Sequence, residues 1–208
     1  AGIRSPGLSA APAIAEMAVE LLRGCETDLA EVWEKILRPG REEHFMDLGA
    51  YTGDTIAEFI GHAGAWRRIT ALEPDPVTFA KLEKNTAALH DCILYRLGAY
   101  SRYARLPFAG GAGRGSHLAE AGAMTELDSV DNILCGQAVS LIKMDVEGME
   151  AEAIAGMEKT LRRWRPRLLV SAYHRSEDLW RLPLAVLALR PDYKVYLRHH
   201  PCLPAWDV

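Results

Sequence analysis

Apolar residues recur three and four positions apart from about Ala11 to Arg38 (Ile14, Met17, Val19, Leu21, Leu22, then Leu29, Val32, Trp33, Ile36, Leu37). That spacing predicts two amphipathic helices, the second stopped by "RPG" at 38–40. Beyond this boundary, short apolar runs alternate with helical segments, the mark of βαβ units on a mostly parallel sheet. Strands are predicted at His44–Leu48, Arg68–Leu72, Cys92–Leu97, Val139–Met144, Leu168–Tyr173 and Lys194–Arg198. Helices are predicted at Thr55–His62, Pro76–Ala88, Met149–Arg163 and Glu177–Leu189. Between Ser101 and Val130 the glycine-rich "AGGAGRGSHLAEAG" breaks the rhythm and predicts a loop or a β-hairpin excursion. The chain therefore divides into an N-terminal helical extension, 1–40, and one α/β domain, 41–208.

Composition narrows the function classes more than it changes this picture. A chain of 208 residues, 49% hydrophobic and 25% charged, buries a sizeable core and is not disordered. A formal net charge of -4 gives no general attraction to phosphate backbones, and "RRWRPR" at Arg162–Arg167 is a local cluster, so nucleic acid is not expected as a partner. No apolar stretch reaches the roughly eighteen residues of a membrane span, and the start lacks signal-peptide order. No membrane partner is expected, and the expected location is cytoplasmic. Cys25, Cys92, Cys135 and Cys202 are scattered without a C-x-x-C pair, which reads as free core thiols.

The chemistry concentrates at strand ends. "FMDLGAYTGDT" places Asp47 at the end of a strand, then Gly49 and Gly53 before a helix, the form of a nucleotide-binding turn. Glycines there also serve turns that bind nothing, because such turns need positive φ. A pyrophosphate site wants G-x-G-x-x-G and an unopposed helix N-terminus. Here the spacing is G-x-x-x-G, and Asp54 opens the helix with a charge that repels phosphate. A cofactor with ribose and adenine but no phosphate fits better, and S-adenosylmethionine is the candidate. Glu73, in "ALEPDP" at the next strand's tip, is placed to accept both ribose hydroxyls, while Asp75 also reads as a cap for the helix at Pro76. "RLGAYS" adds Gly98 and Ala99 at the same edge, beside an adenine ring.

Three motifs line up: "DLGAYTGDT"; "EPDP" followed by Phe79, Leu82 and Asn85; and "LIKMDVEGMEAEAIAGM" with "YHRSEDLWRLPL" and "YKVYLRHH" behind it. Together, over roughly residues 41–200, they resemble the FkbM family of S-adenosylmethionine-dependent methyltransferases. The resemblance implies a Rossmann-like class I methyltransferase sheet, mostly parallel with an antiparallel C-terminal edge, preceded by the N-terminal helices. It implies S-adenosylmethionine as cofactor and S-adenosylhomocysteine as product. Asp47, Gly49, Ala50, Thr52, Gly53 and Asp54 would approach the methionine part, Glu73 the ribose, and Pro74, Asp75, Gly98 and Ala99 the adenine side. Tyr51 stands where many class I enzymes carry a middle glycine.

Methyl transfer to a hydroxyl of a small-molecule or sugar-like acceptor needs in-line positioning and a group to take the proton. His174, after "LLVSAY", is the candidate base, with Asp145 orienting it or contacting the cofactor, and Glu147 close by. A histidine that only hydrogen-bonds the sheet edge is the structural alternative. Lys143 is read as packing its stem and pairing with a neighbouring carboxylate. No metal is assigned, since catechol-type metal enzymes carry an Asp-Asn pair where this chain has Tyr173-His174. His199 and His200, adjacent on a strand, face opposite sides and do not ligate jointly. On the helix after "VEGME", Glu150, Glu152 and Glu158 read as a solvated face opposite Ala153, Ile154 and Met157. Two competing functions stay open: an NAD-dependent oxidoreductase, and a non-catalytic S-adenosylmethionine-binding module whose N-terminal helices supply a homodimer face.

Overall fold

The structure, a computed structural model, describes residues 29–109, 117–118 and 123–198. The predicted helix over residues 11–28 lies outside them, as do Cys25, Cys202, His199, His200 and most of the glycine-rich segment. Leu37–Tyr193 forms one compact unit, and Ala1–Ile36 groups with Lys194–Val208 in a second. Leu29–Glu31 is helical and runs into a π-helical turn over Val32–Leu37, whose last residue belongs to the compact unit. A Lys35–Glu31 pair of 3.0 Å ties it.

The compact unit is built on five parallel strands: β1 (His44–Leu48), β2 (Arg68–Leu72), β3 (Cys92–Tyr95), β8 (Leu141–Met144) and β9 (Arg167–Val170), ordered β3-β2-β1-β8-β9. Every residue of β1 is buried, as a central strand covered on both faces requires. One face packs Met46, Leu48, Leu72, Ile142 and Met144 against Ala153, Ile154, Met157, Leu182 and Val186. These last come from α4 (Glu150–Ala155) and α6 (Asp178–Leu189), with Met157 leading into α5 (Glu158–Trp164). On α1 (Asp54–Ala63), Phe59 stacks on Phe45 with ring centroids 4.4 Å apart. From β1 the chain order runs outward in both directions, so its carboxyl end, beside that of β8, is the topological switch point where open α/β sheets bind ligands.

The hairpin excursion predicted between 101 and 130 is a second sheet. Its strands are β4 (Gly98–Ala99), β5 (Ala104–Ala109), β6 (His117–Leu118) and β7 (Ala123–Asp128), in the order β4-β7-β5-β6. The short helix α3 (Val130–Leu134) leads back to β8. Three expectations are corrected. The helix Met149–Arg163 is broken into α4 and α5 at Gly156, where a Cβ would lie 1.9 Å from the Tyr100 carbonyl oxygen. The close backbone approach admits only glycine, and the helix yields there. The strand expected at Lys194–Arg198 does not form, and the antiparallel edge expected after it lies outside the described residues. Apolar alternation proposes a strand, but ladder hydrogen bonds make one, and among the described residues β9 pairs only with β8. Cys135 is likewise no core thiol: it is exposed and caps α3 in the left-handed conformation. No described helix is long and apolar enough to cross a membrane.

Candidate active site

The turn after β1 is built by four backbone constraints. The Gly49 and Ala50 amides both donate to the Leu72 carbonyl, at 3.0 and 2.9 Å. The Tyr51 amide donates to Glu73 Oε2 at 3.0 Å. Asn85 Nδ2, at the end of α2 (Pro76–Thr86), donates to the Thr52 carbonyl at 2.8 Å. Gly53, at φ +91, then serves as N-cap of α1, with Asp54 exposed in the first turn. Tyr51 itself sits at φ 48, the left-handed region that a glycine would occupy without strain. This accounts for the middle glycine of related turns. It also places about 1–2 kcal/mol of backbone strain at the candidate site.

Asp47 and Lys143 are direct neighbours in the β1–β8 register, so their side chains emerge side by side. Lys143 Nζ lies 3.1 Å from Asp47 Oδ1 and donates to the Gly49 carbonyl at 2.7 Å. The pairing expected for Lys143 is thus with Asp47, whose side chain is fully enclosed. Burial pushes Asp47 up to about 6 despite that ammonium. Burial alone would lower Lys143, but Asp47 and Asp145 together hold it above the ordinary lysine range. In this geometry Asp47 acts on the turn through Lys143 and presents no open oxygen to a ligand.

Glu73 extends from the tip of β2 and is 7% exposed. Its Oε1 accepts the Asp75 amide at 2.9 Å and its Oε2 the Tyr51 amide, leaving further lone pairs on both oxygens. Burial pushes it up to about 7, with the two amides acting the other way. Asp75 Oδ1 accepts from the Val77 and Thr78 amides at 3.1 and 2.8 Å, so it is the cap of α2. Gly98 and Pro74 meet at the same edge, where a Cβ on Gly98 would come within 3.8 Å of Pro74 Cβ. That Cβ would also collide with Leu127 at 2.6 Å, so packing alone already demands glycine. Ala99 is buried in the core.

His174 and Asp145 are brought together, within a larger group than the sequence suggested. His174 Nε2 lies 3.5 Å from Asp145 Oδ1 and 3.2 Å from Glu147 Oε2, and Nδ1 lies 3.0 Å from Glu150 Oε1. Tyr173 Oη donates to Asp145 at 3.1 Å. Burial favours the neutral imidazole, but Glu150, Asp145 and Glu147 outweigh it and hold His174 above its ordinary value. Three surrounding carboxylates make His174 readier to keep a proton than an ordinary imidazole is. Burial raises Glu147, which is half-open and sits at φ 53. Glu150 is the residue sequence reasoning missed: its side chain has no exposure, whereas it was read as solvated. The signal was present, since 150 shares the helix stripe of 153, 154 and 157.

Other charged features belong elsewhere. A cavity of about 380 Å³ lined by His44, Arg67, Arg68, Gln137 and Ala138 opens at the amino ends of β1 and β2, the edge opposite the turn. The arginines of 162–167 are largely spent on Glu158, Asp192 and Glu43.

Residues 47–194 match the family model described as the methyltransferase FkbM domain. The chain is similar to the crystal structure of methyltransferase FkbM from Methylobacillus flagellatus KT, with TM-score 0.73 and 28% identity, over 87% of this chain and 47% of that one. It thus spans about half the length of that protein. Two more distant solved structures also align. The precorrin-6y C5,15-methyltransferase from Geobacter metallireducens GS-15 has TM-score 0.48 and 14% identity, covering 74% of this chain and 65% of that one. Aeropyrum pernix fibrillarin, solved with natively bound S-adenosyl-L-methionine, has TM-score 0.46 and 12% identity, covering 76% and 62%. No curated protein sequence matches the chain.

Proposed function

The chain belongs to the methyltransferase FkbM domain family, and from that premise we propose that it transfers a methyl group from S-adenosylmethionine to a hydroxyl of a small-molecule or sugar-like acceptor. The observation that carries the cofactor assignment is Glu73. A buried carboxylate pinned by two amides and still holding free lone pairs matches the paired O–H donors of a ribose, and no phosphate-binding element accompanies it. Gly49, Ala50, Thr52 and Gly53 would border the methionine end, Asp54 the solvent side of that turn, and Pro74 with Gly98 the adenine. S-adenosylmethionine supplies an electrophilic methyl on a sulfonium. The chain's own residues bind it, orient the acceptor and manage one proton.

For the proton, the half-open carboxylate Glu147 is the better acceptor, with His174 Nε2 3.2 Å away to position it. Glu147, raised by burial, is better matched to that task than an ordinary glutamate. This shifts the base role away from His174, which keeps a positioning role. Once an acceptor is in hand, Glu147→Gln should lower kcat at least tenfold with KM for S-adenosylmethionine unchanged. Equal turnover would remove Glu147 from the reaction.

Calorimetry with S-adenosylhomocysteine tests the cofactor assignment. Glu73→Ala should weaken binding by about 100-fold, the worth of one to two hydrogen bonds to a charged acceptor. Absence of binding to the wild-type chain would sink the assignment. The pH dependence has a definite sign. Because burial lifts Glu73 to about 7, falling pH protonates it and removes an acceptor. The affinity for adenosine, which carries the ribose alone, should drop about tenfold per unit below about pH 6.5. Glu73→Gln should flatten that slope, and a slope surviving in the variant would assign it to another group.

A further inference from the structure

Four carboxylates gather near His174, with Lys143 acting on Asp145 and Arg175 and Arg181 on Asp178 as the neighbouring cations. Asp145, Glu147 and Glu150 surround one imidazole, and Asp178, 2% exposed, lies close enough for the Glu150 charge to act on it. The imidazole pairs with these carboxylates without satisfying every oxygen. Glu150 Oε2 is buried without a hydrogen-bond partner, on a side chain with no exposure. Both ring nitrogens of His174 are also buried without a hydrogen bond, although carboxylate oxygens stand 3.0–3.5 Å away.

That is the arrangement of groups converging on a point between them, and we propose that Asp145, Glu150 and His174 form a site for one divalent cation of the first transition row. One ligand atom from each of the three lies within 4.8 Å of the others. Ligands across an ion with bonds of about 2.2 Å stand about 4.4 Å apart, so the set closes on an ion with shifts of a few tenths of an ångström. Two carboxylates with one imidazole suit Mn²⁺ or Zn²⁺ better than an all-oxygen ion such as Ca²⁺. Glu147 Oε2, at 3.2 Å from Nε2, borders this set without belonging to it and stays open to take a proton. The scaffold is rigid where it matters: Asp145 follows β8 with its amide bonded to the Leu48 carbonyl at 3.0 Å, and the Val146 amide holds Glu150 Oε1 at 3.1 Å. The cation would sit beside the turn after β1, because the Asp145 carbonyl is what Gly49 packs against. Resting on the methyltransferase reading, such an ion would hold an acceptor oxygen and lower the pKa of its proton.

The site itself is tested without cofactor or acceptor. Water-proton relaxation with MnCl₂ on the purified wild-type chain should show one bound ion with Kd below about 1 mM. Asp145→Asn and His174→Gln, each checked for wild-type circular dichroism, should weaken it at least tenfold, and the surface control Asp192→Asn should not. If either variant misfolds, the other decides. No saturable binding to wild type, or binding unchanged in the folded variants, overturns the proposal. Neither result bears on S-adenosylhomocysteine binding, which is measured separately.

Discussion

Lys143→Met is expected to cost the fold about 3–5 kcal/mol at pH 7.5, because it strands the Asp47 carboxylate in a place with no exposure. The ammonium lies 3.1 Å from Oδ1 and also holds the Gly49 carbonyl, so one substitution removes both a counter-charge and a brace of the turn. The sign of the pH dependence follows from burial. Asp47 is raised to about 6 in the native chain, so the stability it contributes is full below the unfolded value near 4 and is lost as pH rises through about 6. Without Lys143 the native value climbs further, and the loss continues to higher pH. Urea unfolding should therefore find the variant close to wild type near pH 5 and furthest from it above pH 7. Adding Asp47→Asn should return about 1–3 kcal/mol, since the charge is gone while an amide stays buried and unpaired. A variant as stable as wild type across this range would mean that the carboxylate finds another partner.

This pair also shows what the sequence could and could not reveal. A lysine on a core strand announces a buried partner, but which carboxylate it meets is fixed by the register of β1 against β8. Local pattern was enough for β1 and β2, whose apolar runs are bounded by charged and glycine residues, and both ends of each were legible. It failed where a distant backbone decides. Gly156 reads as one tolerable glycine in a long helix until Tyr100 is brought against it. Lys194–Arg198 alternates like a strand, yet strand identity depends on a neighbour that a linear pattern does not contain. In the site, Glu73 and Asp145 were legible because strand ends project chemistry to one edge. Glu150 was not, because a glutamate beside Glu152 and Glu158 looks solvated unless its helix stripe is counted first.

Among the described glycines, Gly49→Ala should be the most damaging added methyl, leaving little folded protein or lowering stability by more than about 4 kcal/mol. Two penalties add. Gly49 has φ +77, which costs an alanine about 1–2 kcal/mol, and its Cβ would stand 1.9 Å from the Asp145 carbonyl oxygen. That oxygen is backbone, so no side chain can rotate away. Nor can the turn retreat, for the Gly49 amide is bonded to Leu72 and its carbonyl to Lys143. Gly53→Ala separates conformation from clash. At φ +91 it carries the same backbone cost, but its Cβ would meet only Leu82 Cδ1 at 3.2 Å, a side chain able to give way. It should fold with a loss of about 1–2 kcal/mol. Gly156→Ala supplies the converse control, a 1.9 Å backbone clash away from the turn. If Gly53→Ala folds yet binds S-adenosylhomocysteine at least tenfold more weakly, the turn's shape itself reads the cofactor. If Gly49→Ala unfolds no more easily than Gly53→Ala, the close approach of β1 and β8 at the switch point is not what shapes the site.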